Sequence, residues 1–370
     1  MQRIEEYQKE QGANMKRFMP WIVCVSASLF FFYEFIQGNI FASIADNIMQ
    51  NFHIQANEMT YLSCSYYVSN VLFLFVAGVV LDRYSVKKVL LLTMAFCVIS
   101  TFWFAYTHSF YVAFFCRFVM GIGSAFCFLG PVRLASSWFP AGRMAMVTGV
   151  IVTIAMTGGM IAQFPMTKLV NQLGWRDALV VTAWLGVVIF VLMGVGISDK
   201  NQKKRVNMTT TAKKKTVLAI ARQAYLNLQT LRTALYASLM NMAIAVFGAM
   251  MGSLYLMQRL DISKEDAAFV NSFLFLGAII GGPVLGYFSD KLRLRLLPMK
   301  WCALISLVIM VIILYGPVSL FEMKTLFFLL GFFTAAQVIS YALVAESNEP
   351  DMTATAVSVI SLLTQGGYIA

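Results

Sequence analysis

Residues 78–90 read GVVLDRYSVKKVL, and this stretch decides the architecture of the chain. An apolar run from Met59 to Leu81 ends here, four charged residues follow within seven positions, and the next apolar run begins at Val89. Two membrane-length helices joined by so short a basic loop form a tight hairpin, and the positive charge predicts that its turn faces the cytoplasm. Gly78 leaves room for a neighbouring helix, and Asp82 lies on the same helix face.

A second copy of the pattern supports this interpretation. Residues 286–295 read GYFSDKLRLR, so another apolar run ends with Gly286, Asp290 and Lys291 and a basic turn. One helix end with a basic loop is common by chance. Two copies, one in each half of the chain, predict a carrier built from two repeated halves.

The first copy resembles the loop 2–3 signature of the major facilitator superfamily, with Gly78, Asp82, Arg83 and Lys88 in place and Ser85 where the family usually has glycine. The resemblance implies an all-α integral membrane protein whose two six-helix bundles are related by pseudo-two-fold symmetry. It also implies a secondary transporter that works by alternating access.

Composition points the same way. Hydrophobic residues make up 59% of the 370 residues, charged residues only 12%, and the mean hydropathy is +0.74. Soluble domains are about a quarter charged, so we expect a protein embedded in the lipid bilayer. The net charge of +11 does not indicate a nucleic-acid partner, because 22 of the 28 Lys and Arg residues fall in segments expected on one side of the membrane. This bias predicts a cytoplasmic N-terminus.

The polar inventory argues against an enzyme, a metal site or a cofactor. The six cysteines lie almost wholly in apolar runs without a CxxC pair, and the two histidines, His53 and His108, are isolated. Clustered acids, histidines or metal ligands at one membrane interface would be needed for a membrane enzyme, and the acids are scattered. We therefore expect no catalytic residues.

Eleven apolar segments follow a cytoplasmic tail, residues 1–18. The first six, forming an N-terminal bundle over 19–198, are predicted at 19–44, 59–82, 89–107, 109–136, 144–170 and 176–198. A basic cytoplasmic linker, 199–228, separates them from a C-terminal bundle over 229–370, with segments at 229–258, 265–290, 297–315, 321–346 and 353 onward. Because the sequence stops at Ala370, we expect the rest of helix 11 and helix 12 to be absent from this chain.

Two ionisable residues lie deep in predicted spans. Glu34 is about 22 Å of helix rise from one end of its span and about 15 Å from the other, and Arg117 is roughly 12 Å from the outer end of its own. The two are at similar depth and could meet across a cavity. Arg117, Gly121 and Gly123 resemble the family's fourth-span motif, R-x-x-x-G-x-G, whose arginine is associated with proton coupling or substrate binding.

Two interpretations of this pair stay open. Either Glu34 and Arg117 form a structural ion pair, or they bind substrate or protons, which is the usual reason for charges inside a membrane. A Glu34 without a partner in one conformation would favour its protonated form, because burial disfavours the charge. It would then be a proton carrier.

Neutral polar residues at mid-span are candidates for a substrate cavity, or else for interhelical hydrogen bonds. Tyr33 and Gln37 lie beside Glu34, and Tyr66, Tyr67 and Asn70 lie midway along span two. The second half offers Asn241, Tyr255, Asn271, Gln337 and Tyr341.

The resemblance gives Asp82, Arg83 and Arg143 a gating role. Trp138 to Arg143 read WFPAGR, which is similar to the family's loop 4–5 pattern. By that likeness Asp82 meets cationic partners and a helix N-terminus of the other bundle, near Met352. The alternative is a solvated turn that only sets topology.

The resulting hypothesis is a monomeric transporter of a small solute in a bacterial inner membrane, with protons as a candidate coupling ion. The solute could be a metabolite, a peptide or an organic anion; polar aromatics before Asn70 are similar to the branch of lysosomal dipeptide carriers. The antiporter Gly-Pro step is absent from span five, which argues against drug efflux. The alternative is a non-transporting sensor or truncated regulatory protein on a carrier fold.

Overall fold

The computed structural model describes residues 2–199, 227–348 and 353–366. All regular secondary structure in these residues is helical, and ten of the helical segments are long and apolar enough to cross a membrane. The all-α membrane fold predicted from the sequence is therefore confirmed. Most of the predicted linker (200–226), Met352 and Ala370 lie outside the described residues.

Nine helices form the first half, residues 2–199. They are α1 Gln2–Asn39, α2 Phe41–Phe52, α3 Ala56–Arg83, α4 Val86–Tyr106, α5 Phe110–Cys127, α6 Leu129–Trp138, α7 Met144–Ala162, α8 Phe164–Leu173 and α9 Trp175–Gly196. A short 3₁₀ helix, Ala141–Arg143, precedes α7. Helix α1 extends from span one through the segment predicted as the N-terminal tail.

The second half comprises the described residues from 227 onward. Its helices are α10 Leu228–Ala243, a π-helix Ile244–Met250, α11 Gly252–Leu260, α12 Lys264–Leu292, α13 Leu296–Tyr315, α14 Leu320–Thr334, a 3₁₀ turn Ala335–Gln337, α15 Val338–Ser347 and α16 Thr353–Gly366. Spans one, four, five, seven and ten, each predicted as one apolar segment, are thus interrupted. Such breaks are tolerated at membrane depth where they are buried in protein or line a cavity.

Local capping residues set the helix ends that the hydropathy pattern predicts only approximately. Gln55 and Glu58 form a capping box at the start of α3, and Ser319 and Glu322 form another at the start of α14. Each box satisfies backbone N–H groups that have no partner within the helix. The membrane helices therefore begin at polar residues just outside the apolar runs.

Close contact between the halves depends on glycines of α7 and α12. A Cβ on Gly149 would lie 2.6 Å from the Gly282 carbonyl oxygen, and one on Gly286 would lie 2.7 Å from the Ala145 carbonyl oxygen. Backbones can approach this closely only without side chains between them. Spans five and eight therefore form a tight seam through the middle of the molecule.

The outer surface is apolar where a bilayer would surround it. Helix α13 has the lowest buried share of any of the ten membrane-length segments, 28% of its most apolar window. Its exposed side chains include Leu304, Leu307, Val308 and Val311. In water this surface would be unfavourable, whereas in lipid it matches the surrounding chains.

Candidate functional site

A cavity of about 50 Å³ lies between the two halves, room for a few water molecules. Phe128 and Gln337, at the interruptions of spans four and ten, both line it. Asn70, Asn241 and Tyr341 also line it, as the sequence predicts for cavity residues. The other polar candidates, Glu34, Arg117, Tyr33, Gln37 and Tyr67, do not reach its walls in this structure.

Arg117 is buried in the first half, between two aromatic rings. The guanidinium carbon lies 4.1 Å from the centre of the Phe41 ring and 4.6 Å from that of Tyr66. Its Nη1 donates a hydrogen bond of 3.0 Å to the Gln37 carbonyl oxygen. A desolvated cation–π contact contributes about 2 kcal/mol, so two of them offset the roughly 3 kcal/mol that an arginine costs at mid-membrane. Aromatic rings, not a carboxylate, hold this charge.

Glu34 is buried on the other side of Tyr66. The Tyr66 hydroxyl donates to Glu34 Oε2 at 2.9 Å and lies 2.7 Å from the Ser124 hydroxyl oxygen, while Glu34 Oε1 has no hydrogen-bond partner. Glu34 and Arg117 are both described, and they form no ion pair. The predicted ion pair is therefore absent from this structure: the two charges share Tyr66 but do not touch each other.

The remaining candidates of the first half support this arrangement from outside the cavity. Tyr33 shares a hydrogen bond of 2.9 Å with Thr101, and Tyr67 donates to the Gly38 carbonyl oxygen at 3.2 Å. Gln37 contributes its backbone oxygen to Arg117, and its side-chain Nε2 is buried without a partner. Their contacts tie span one to spans two and three.

At the end of the molecule that carries residues 78–90, here called the motif end, Asp82 contacts its own half. Its Oδ1 lies 3.0 Å from Nε of Arg133 in span four, and both side chains are largely buried. Arg83 and Lys88 are exposed. The partner expected from the family likeness, near Met352, lies outside the described residues.

Ser85, the departure from the family pattern, has a contact that glycine could not make. Its hydroxyl donates to Asp199, which also accepts from the Lys87 backbone N–H at 3.2 Å. Lys87 Nζ donates to the Gly194 carbonyl oxygen at 2.6 Å. The loop between spans two and three is thereby fastened to the end of span six.

The second copy of the motif joins the two halves. Asp290 Oδ2 accepts a hydrogen bond of 2.8 Å from the Met146 N–H in the first turn of α7, where a helix has unpaired donors. Its Oδ1 pairs with Arg295 Nη1 at 2.6 Å, and Arg295 Nη2 pairs with Glu346 Oε1 at 2.5 Å. Asp290 thus meets a helix N-terminus of the other half, the kind of contact that the family likeness implies for Asp82.

Arg295 lies in the loop outside the membrane spans and stays charged. Burial lowers its pKa, but the hydrogen bonds and charges of Glu346 and Asp290 outweigh burial and raise the pKa above its usual range. Near this cluster, Lys291 lies 5.9 Å from the centre of the Tyr287 ring, and Arg143 lies exposed just before α7.

The opposite end of the molecule, here called the far end, is also closed by contacts between the halves. Gln163 Nε2 of the first half donates to the Gly248 carbonyl oxygen of the second half at 3.0 Å. Asn271 Nδ2 donates across the halves to Gln163 Oε1 at 3.3 Å, and also to the Gly248 carbonyl oxygen of its own half at 3.3 Å. This carbonyl belongs to the π-helix of span seven. At the surface, Lys264 pairs with Asp46 at 2.7 Å and Asn171 donates to Glu265 at 3.0 Å.

Comparison with known protein families decides the assignment. The model of the Major Facilitator Superfamily matches residues 26–370, which is most of the chain. The chain belongs to the major facilitator superfamily. This superfamily member is therefore a multi-pass membrane protein of a transporter family, and the family predicted from residues 78–90 and 286–295 is confirmed.

Three curated relatives of this superfamily member show how far the likeness extends. The drug efflux pump JefA of Mycobacterium tuberculosis is 23% identical over 55% of this chain and 40% of its own length. The uncharacterized transporter YybO of Bacillus subtilis is 23% identical over 44% and 38%, and the probable sulfoacetate transporter SauU of Cupriavidus necator is 28% identical over 28% and 24%. The chain thus spans less than half the length of the curated relatives it matches.

Several residues of this superfamily member were not singled out by sequence. Arg133, Ser124, Gln163 and Glu346 belong to none of the motifs described above. Each depends on a partner far away in sequence, so no local pattern distinguishes it. Ser124 and Gln163 could have been selected from the sequence only because each is a polar residue within an apolar run.

Proposed function

We propose that this protein is a secondary transporter that carries a small solute through the central cavity by alternating access. The observation that carries the proposal is a cavity between two halves, closed at both ends by contacts that run from one half to the other. A carrier needs two gates that can open in turn. The Asp290 cluster at the motif end and the Gln163, Asn271 and Gly248 contact at the far end are suited to these roles.

Orientation follows from charge. The basic segments at the motif end place that end in the cytoplasm by the positive-inside rule. The bacterial origin of the relatives supports the plasma membrane of a bacterium as the location, and a cavity enclosed within one molecule supports a monomer.

Protons are the proposed coupling ion, with Glu34 as their carrier. Glu34 Oε1 has no partner, and the Tyr66 hydroxyl links Oε2 to Ser124, which lines the cavity. Hydroxyl groups in contact are able to pass protons between a cavity and a buried carboxylate.

Cys127 provides a native reporter for a test. It lines the cavity, and Cys64 is the one cysteine of six that is not buried. In a Cys64→Ser protein in liposomes, a membrane-impermeant maleimide should label Cys127 from either side of the membrane. A condition that increases labelling from one side should decrease labelling from the other side. Cys127→Ser is the control and should lose the signal.

A pH gradient should shift this labelling, and Glu34→Gln should abolish the response while two-sided labelling persists. Labelling from one side only under all conditions would contradict alternating access. Two-sided labelling without release of any metabolite from liposomes loaded with a defined mixture would favour the non-transporting alternative.

A further inference from the structure

We infer that the cavity, which has room for only a few water molecules in this closed structure, takes an uncharged, planar heterocyclic solute with N–H donors when it opens, an inference that rests on the proposed transport function. Among the described residues, no side chain of Asp, Glu, Lys or Arg lines the cavity. Its polar lining is made of carboxamides and hydroxyls instead. The carboxamides belong to Asn70, Asn241, Gln337 and Gln365, and the hydroxyls to Ser124, Ser361, Thr364 and Tyr341.

Arg117 and Glu34, two buried charged side chains of the first half, already contact other groups outside the cavity lining. Arg117 is enclosed by Phe41 and Tyr66 and donates to Gln37, and Glu34 accepts from Tyr66. An anionic solute in the cavity would be desolvated without a cation to pair with, which is strongly unfavourable. A cationic solute would equally lack a carboxylate. An uncharged solute loses far less on entering.

Two buried polar atoms at one wall of the cavity have no partner. The side-chain oxygen of Asn70 in α3 and the hydroxyl oxygen of Ser361 in α16 are both buried and make no hydrogen bond. Both residues line the cavity. Buried polar groups are nearly always hydrogen-bonded, so these atoms indicate where a ligand bonds. A ligand that satisfies these oxygen acceptors must supply an N–H or O–H donor.

The aromatic lining is suited to a flat face. Phe31 lies 4.8 Å from Phe35 and 5.2 Å from Phe128, and Phe128 lies 4.6 Å from Tyr341, measured between ring centres. All four residues line the cavity and form a continuous series of rings. Aromatic side chains prefer planar partners that can stack or meet them edge to face. A heterocycle with N–H groups matches both the rings and the unpartnered oxygens.

Matched pairs of compounds test the effect of charge on a shared heterocyclic ring. Nicotinamide and nicotinate share one ring, as do uracil and orotate, and in each pair only the second carries a carboxylate at neutral pH. Protection of Cys127 from maleimide and release from loaded liposomes would be measured for all four. We expect the neutral member of each pair to act at concentrations at least tenfold lower than its anionic counterpart.

Asn70→Ala should weaken the neutral members at least tenfold, whereas Asn51→Ala, at an exposed position of α2, should leave them unchanged. Equal or better action by nicotinate and orotate would overturn the inference, as would equal effects of the two alanine variants. If Cys127 is still labelled from both sides, but none of the four compounds protects it or is released from loaded liposomes, the proposed solute class is wrong and the transport proposal stands. If two-sided labelling itself is absent, the transport proposal fails.

Discussion

Tyr66 connects the two deep charges of the first half. Its ring faces the guanidinium of Arg117, and its hydroxyl bonds to Glu34 and Ser124. One side chain therefore stabilises a cation through its ring and an acid through its hydroxyl. This explains how Glu34 and Arg117 can be buried near each other without an ion pair, which a sequence-based comparison of depths could not show.

Tyr66→Phe should separate these two functions. The ring would still face Arg117, but the Glu34 carboxylate would lose its donor, at a cost of about 1–3 kcal/mol in the free energy of unfolding. Glu34→Gln in the same protein should recover part of this loss, because a neutral amide needs its partner less. Thermal unfolding of the purified protein would measure both, with Tyr61→Phe, at an exposed position of the same helix, as the control.

An effect of Tyr66→Phe no larger than that of Tyr61→Phe would show that the hydroxyl contributes nothing to Glu34. Full additivity of Tyr66→Phe and Glu34→Gln would lead to the same conclusion, since contacting residues normally show a coupling energy.

At the scale of helices, Gly121 explains why the fourth-span motif carries a glycine four residues after its arginine. A Cβ at this position would collide with the Ser69 hydroxyl and with the backbone carbonyl oxygen of Tyr66. Helices α3 and α5 can therefore meet at Tyr66 only because Gly121 has no side chain. Since Arg117 lies one turn away on the same face, this contact brings the Tyr66 ring to Arg117.

Gly121→Ala should force α3 and α5 apart and displace Tyr66 from Arg117. The expected loss is about 1–3 kcal/mol in the free energy of unfolding, as for other overpacked helix contacts, together with a faster reaction of Cys127. Gly194→Ala is the matched control, because nothing lies within 4 Å of its added Cβ. There, alanine should stabilise α9 by about 0.5–1 kcal/mol. Equal stability of the two variants would mean that the helices separate without cost.

At the scale of the whole molecule, the two ends differ in what holds them closed. The motif end uses the charged cluster of Asp290, Arg295 and Glu346 with the α7 N-terminus, in a partly buried setting. The far end uses neutral amides that donate to a π-helix carbonyl, together with the exposed Lys264–Asp46 ion pair. Charged, partly buried hydrogen bonds contribute more than exposed ion pairs, so the motif end should be the more stable gate.

Asp290→Asn should shift the molecule toward opening at the motif end. Loss of a charged hydrogen bond is worth about 1.5–3 kcal/mol, which corresponds to a change of roughly tenfold to a hundredfold in the open population. Labelling of Cys127 from the motif end should rise and labelling from the far end should fall. Lys264→Gln at the far end should have the opposite effect and a smaller one, because that pair is exposed. Equal changes from both sides would indicate loosening rather than gating.

Much of the architecture was predictable from the sequence, because membrane helices are specified locally. Runs of apolar residues, the cations that follow them and the repeated pattern at Gly78 and Gly286 were enough to predict the family and the approximate spans. Asn70, Asn241, Gln337 and Tyr341 were predicted as cavity residues on polarity alone, and they line the cavity in the structure.

The tertiary structure decided which polar groups meet. The positions of Glu34 and Arg117 along their predicted spans suggested that the two side chains lie at a similar membrane depth. The packing of α1, α3 and α5 decided that aromatic rings surround Arg117 and that neither charge lines the cavity. The aspartate of the second motif copy, Asp290, accepts a hydrogen bond at a helix N-terminus of the other half. The hydropathy pattern specifies each helix separately. These contacts join residues far apart in the chain, so they are determined only by the packing between helices.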